Sequence, residues 1–138
     1  MATFLLSGCA SNAPFDNSKN GVCTPEQSQL VTDHIGAQIS AFQDQDFEKA
    51  YSYAAVSFQK DIDLDSFTQS IEARYFMLIE NDGVDFGQCE IITGDVIQIV
   101  IVKSSKNNFA LNYVLSLEDG KLGVVAAVVT SASENTIT

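Results

Sequence analysis

The stretch Asp95-Val96-Ile97-Gln98-Ile99-Val100-Ile101-Val102-Lys103 decides the fold class. Between Val96 and Val102 only Gln98 is polar, and every other residue is β-branched. Such a run is too short for a buried helix, and its branching suits a pleated strand. Because both side-chain parities are apolar, the strand is expected to lie in the middle of a sheet with both faces covered. On either side lie further segments rich in β-branched residues: about 84–93, 108–117 and 121–130. Their connectors, Thr93-Gly94-Asp95, Lys106-Asn107-Asn108 and Glu118-Asp119-Gly120-Lys121, have hairpin chemistry. Asn81-Asp82-Gly83 marks the turn that opens the run. Four antiparallel strands are therefore expected.

Upstream the period changes from two to about 3.6. Val31, Ile35, Ile39 and Phe42 recur at helical spacing, with Leu30 and Ala41 widening the stripe. Thr24 can cap this helix, Pro25 suits its first position and Gln27 completes a capping box. A short second helix is expected over 47–55, where Phe47, Tyr51 and Ala54 share a face, and a third after Asp65 as N-cap, carrying Phe67 and Ile71. Helices followed by a run of hairpins mean an α+β domain, with N-terminal helices packed on one face of a four-stranded antiparallel sheet. The other face must hold a ligand cavity, meet a partner or lie under a loop. The domain is placed at 25–130, with a polar tail at 131–138. The chain of 138 residues suits one domain, and its 46% hydrophobic content excludes a disordered or collagen-like chain.

Acids outnumber bases 18 to 7, for a net charge of −11. An electronegative surface repels phosphate backbones, so no nucleic-acid partner is expected. The charge is uneven: residues 25–95 hold 14 acids and 3 bases, and residues 96–138 hold three of each.

Leu6-Ser7-Gly8-Cys9 resembles the lipobox of bacterial lipoproteins: an aliphatic residue, two small residues, then the Cys that receives the lipid. The apolar stretch Phe4-Leu5-Leu6 before it is shorter than the roughly 7–15 residues of a signal peptide, so residues 1–8 read as the remnant of a leader that starts further upstream. Residues 9–24, rich in Ser, Asn, Gly, Asp and Pro, have the composition of a flexible tether. The resemblance implies acylation of Cys9 and a lipid-anchored, extracytoplasmic protein of the cell envelope, whose membrane partner is reached through that lipid. Cys23 and Cys89 then remain as an even pair, either bridged in an oxidising compartment or buried as two free thiols.

The stretches Gln38–Gln59, Phe67-Thr68-Gln69-Ser70-Ile71 and Tyr75-Phe76-Met77-Leu78 resemble the bacterial family catalogued as domain of unknown function 4864, over roughly residues 25–130. That family is similar to the cystatin-like and nuclear-transport-factor-2-like folds, which implies a curved antiparallel sheet wrapped around the helices. Such folds host isomerases, dehydratases, ligand carriers and assembly modules, so fold alone leaves function open.

Three sets of residues are candidates for chemistry. Asp61, Asp63, Asp65, Gln69 and Glu72 stand at positions 1, 3, 5, 9 and 12 of an EF-hand calcium loop, but Ser66 occupies the glycine position. The better reading is a capped acidic turn, and no metal is expected. His34, the sole histidine, flanks the stripe of the first helix and is a weak candidate for acid–base work. Glu90 lies mid-strand, and with Tyr113 it could act as base and oxyanion donor in an isomerase- or dehydratase-like cavity. No phosphate-cradling loop, nucleophile elbow or Cys–His pair is present, and no cofactor is implied. The leading expectation is a binding or interaction domain for an apolar ligand or a protein partner, including a second copy pairing through the sheet. The alternative is the small cavity enzyme.

Overall fold

The computed structural model describes Phe15 and residues 19–134. It contains β1 (Gly21–Val22), α1 (Pro25–Gln43), α2 (Phe47–Ser52), α3 (Val56–Asp61), α4 (Leu64–Arg74), α5 (Phe76–Ile79), β2 (Gly83–Ile92), β3 (Asp95–Lys103), β4 (Asn107–Glu118) and β5 (Lys121–Glu134). The strands form one antiparallel sheet in the order β1-β2-β3-β4-β5, and the helices pack on one face: the class is α+β.

The sheet has five strands rather than four. The added strand, β1, lies inside the stretch read as a tether, and pairs Gly21 with Ile91 and Val22 with Glu90. Its polar composition hides it, and what fixes it lies at long range: the Cys23 N–H donates to the Cys89 carbonyl at 2.9 Å, and the two cysteines form a disulfide with Cα atoms 5.4 Å apart. At the other end, β5 runs to Glu134, into the stretch read as a polar tail. Residues 131–134 pair with 107–110 because β4 begins at Asn107 and its backbone groups need a partner strand. Residues 1–14, 16–18 and 135–138, and with them Cys9, lie outside the described residues.

Helix α1 begins as the capping box dictates. The Thr24 hydroxyl accepts from the Gln27 N–H, and the Gln27 side chain accepts from the Thr24 N–H. The second helix is shorter than the periodicity suggests. It stops at Ser52 because Ala54 and Ala55 leave it to dock on the sheet. Ala54 bridges Val124 in parallel, the Ala55 N–H donates to the Val124 carbonyl at 2.9 Å, and the Val124 N–H donates to the Tyr53 carbonyl at 3.0 Å. Gly123 makes this approach feasible, since a Cβ there would sit 2.4 Å from the Ala55 Cα. The third helix expected from sequence is α4, and its N-cap is Asp63 rather than Asp65. The Asp63 carboxylate accepts from the Ser66 N–H at 2.9 Å, and Asp65 falls in the first turn. Starting two residues early brings Leu64 against the core.

Two of the hairpins turn on two residues with positive φ, Thr93-Gly94 and Asp119-Gly120, as tight hairpins require. Strand β3 is central, yet the described residues cover only one of its faces. Val96, Gln98, Val100 and Val102 are buried against the helices, while Ile97, Ile99 and Ile101 are half-exposed on the other side. No second layer of described residues lies on that outer face, which also carries Val114 and the exposed Val22, Ile92 and Val128.

Candidate functional site

Where the helices meet β5, the inner layer does not close. A cavity of about 300 Å³ opens there, near the lower end of the size range of small-molecule sites. Its aromatic wall comes from Phe42 of α1, Phe58 of α3 and Phe67 of α4. The Phe67 ring lies 5.8 Å from that of Phe42 and 6.0 Å from that of Phe58. The opposite wall is the stretch 124–128 of β5. Two features keep the space open. Ala127, beside Tyr113 on the inner face, is too small to fill it, and β5 carries irregularities in register opposite Ala110/Leu111 and Val114/Leu115, which bend the strand.

Polar groups enter this apolar space at few points. Gln38 is buried, and its Nε2 donates to the Ala50 carbonyl at 3.0 Å, which pins α1 to α2. Tyr113 is 1% exposed and lines the cavity, and its hydroxyl has no hydrogen-bond partner. Burial, assisted by the nearby Tyr75 phenol, pushes its pKa well above the ordinary 10.0, so the group is a neutral O–H donor at neutral pH. At the rim, Ser70 and Arg74 stand one turn apart on α4.

Register separates the two residues expected to act together. Glu90 pairs with Ile97, and Ile97 with Val114, on the outer face; Gln98 pairs with Tyr113 on the inner face. Glu90 and Tyr113 are thus on opposite sides of the sheet, and among the described residues no carboxylate lines the cavity. His34 lies elsewhere. Its Nε2 is 2.9 Å from the Tyr53 carbonyl and its ring meets the Tyr53 ring edge-on, so it fastens α1 to the end of α2. Of the acidic run, Asp61 ends α3, Asp63 caps α4, and Asp65, Gln69 and Glu72 project from α4 itself. A helix occupies the positions that a calcium loop would need, and no cluster of three metal-ligating groups exists among the described residues. The Ser66 N–H and hydroxyl hold the Asp63 carboxyl below its ordinary 3.8.

Several residues of the site have no signature in the sequence. Ser70, Gln38 and the alanines of β5 read as ordinary helix and strand residues. Arg74 carries one signal, since it is the chain's sole arginine. Glu118 is a further structural residue. It accepts from the Ser57 N–H at 3.1 Å and from the Ser57 hydroxyl, and so caps α3 across the molecule where Ala55 cannot. These bonds hold its carboxyl below 4.5.

The family described as Domain of unknown function (DUF4864) matches residues 24–137, so the chain belongs to that family. No curated protein and no solved structure matches it significantly.

Proposed function

We propose that this DUF4864 domain is an exported, lipid-anchored binding protein whose cavity beside β5 takes a small apolar ligand. One observation carries the reading: Tyr113, whose fully buried hydroxyl has no partner, is among the residues lining an apolar cavity. A buried hydroxyl without a hydrogen bond costs free energy, and a ligand oxygen accepting from it would recover that cost. The isomerase- or dehydratase-like alternative needs a base beside the phenol, and the described lining of the cavity contains no carboxylate to serve as one.

The test uses a medium-chain methyl ketone as probe. It should raise the melting temperature of the wild-type protein through linkage and leave an Ala127→Phe variant, whose cavity is filled, unmoved. Tyr113→Phe should weaken ketone binding about 2- to 12-fold, the equivalent of one neutral hydrogen bond. No shift with any ketone up to its solubility limit would sink the reading.

Anchoring rests on Leu6-Ser7-Gly8-Cys9, and the Cys23–Cys89 disulfide supports an oxidising compartment. Palmitate should label the precursor in a bacterial host, and Cys9→Ser should abolish the label. The half-exposed Ile97, Ile99, Ile101 and Val114 favour a second reading, in which a protein partner docks on the outer face of the sheet.

A further inference from the structure

Arg74 is the chain's sole arginine, among 18 acids, and yet no carboxylate pairs with it among the described residues. The one ion pair there joins Lys103 to Asp85 on the sheet. Glu80 and Asp82 line a neighbouring groove to which Arg74 also contributes, and neither reaches it. As the last residue of α4, Arg74 suits the negative end of the helix dipole, but a lysine would serve that purpose equally well. The dipole does not explain why Arg74, though exposed, is among the residues lining an apolar cavity, with the exposed Ser70 one turn before it on the same helix. A planar fork of donors is matched to a carboxylate, and an apolar flank strengthens such a contact by excluding water.

We propose, resting on the cavity reading, that the ligand is an amphipathic acid: its carboxylate is held by Arg74 and Ser70 at the rim, its body lies against Phe42, Phe58 and Phe67, and an acceptor oxygen on that body meets the Tyr113 hydroxyl. Arg74 then sets specificity by charge, and Tyr113 selects for oxygen at the buried end. The chain's negative field repels free anions from the surface at large, so binding of an acid depends on this one local contact.

Matched probes separate the two claims. One is the medium-chain methyl ketone. The other is the oxo-acid in which the far methyl of that ketone is replaced by a carboxylate. By titration calorimetry on the whole chain, the oxo-acid should bind about tenfold or more tightly than the ketone. In Arg74→Gln that preference should vanish while the ketone still binds. In Arg74→Lys it should shrink, with the melting temperature preserved. Equal affinities in the wild type, or an Arg74→Gln variant that loses both probes alike, would overturn the proposal while the ketone still reports a working cavity. If neither probe binds, the cavity reading fails, and this proposal falls with it.

Discussion

On the inner face of the sheet Val96, Val100, Val102, Leu111 and Leu115 are cut off from solvent, while one residue along the same strands Ile97, Ile99, Ile101 and Val114 are half-exposed. The side-chain types are the same; only the parity differs. A β-strand sends successive side chains to opposite faces, so what separates the two sets is whether a second layer lies above them. Helices α1 and α5 cover one set, and no described element covers the other. An unbroken apolar run therefore reports a central strand reliably, but not how many of its faces are packed. The inner face is itself divided. Toward β2 it is closed by the helices and the disulfide, and toward β5 it opens into the cavity.

The largest expected effect lies on the closed part. Leu111→Ala would leave a void between the sheet and the helices that cannot collapse without moving a layer, and should cost about 2–5 kcal/mol in urea unfolding. A loss below about 1 kcal/mol would show that the inner face is no better packed than the outer one, and the comparison would break.

Next comes the edge of the inner face. The Cys23–Cys89 bridge spans 66 residues, so removing it frees a long loop of the unfolded chain and should cost about 2–4 kcal/mol. The double Cys→Ser variant should also expose the backbone of β1 to amide exchange, since β1 has only two residues of pairing. If β1 stayed protected without the bridge, its pairing would not depend on the disulfide.

Much of this was legible in the sequence, for reasons tied to particular residues. The Thr24–Gln27 capping box, the stripe from Val31 to Phe42 and the Asp119-Gly120 turn are local signals, and local chemistry fixes their outcome. What was hidden depends on distant partners. Gly21–Val22 becomes a strand because Cys89 holds Cys23 beside it. Ala54 leaves its helix because Gly123 lets it reach β5. The cavity was the least legible part: it is a gap between α1, α3, α4 and β5, and no residue type marks a gap. Tyr113 was singled out in sequence for a pairing with Glu90 that the register rules out; its relevance came instead from an unpartnered hydroxyl, which only packing reveals.

The smallest effect is expected on the outer face, where it also decides what that face is for. Ile99 sits mid-strand over the bulge in β2, close enough that a Cβ on Gly87 would stand 3.2 Å from its side chain. Ile99→Thr keeps the branched Cβ that a pleated strand favours, and trades a half-exposed ethyl group for a hydroxyl that water can reach. With no layer of described residues above it, no cavity forms and no polar group is buried, so the cost should stay near 0.5 kcal/mol, as for substitutions away from a packed core. It should also be independent of protein concentration. A second copy seated on Ile97, Ile99 and Ile101 would change both results: the hydroxyl would be buried in an interface, the loss would grow, and the melting temperature would fall on dilution because association stabilises by mass action. Melting curves of wild type and Ile99→Thr across a hundredfold range of concentration therefore decide between a face open to water and a face built for a partner of the same kind.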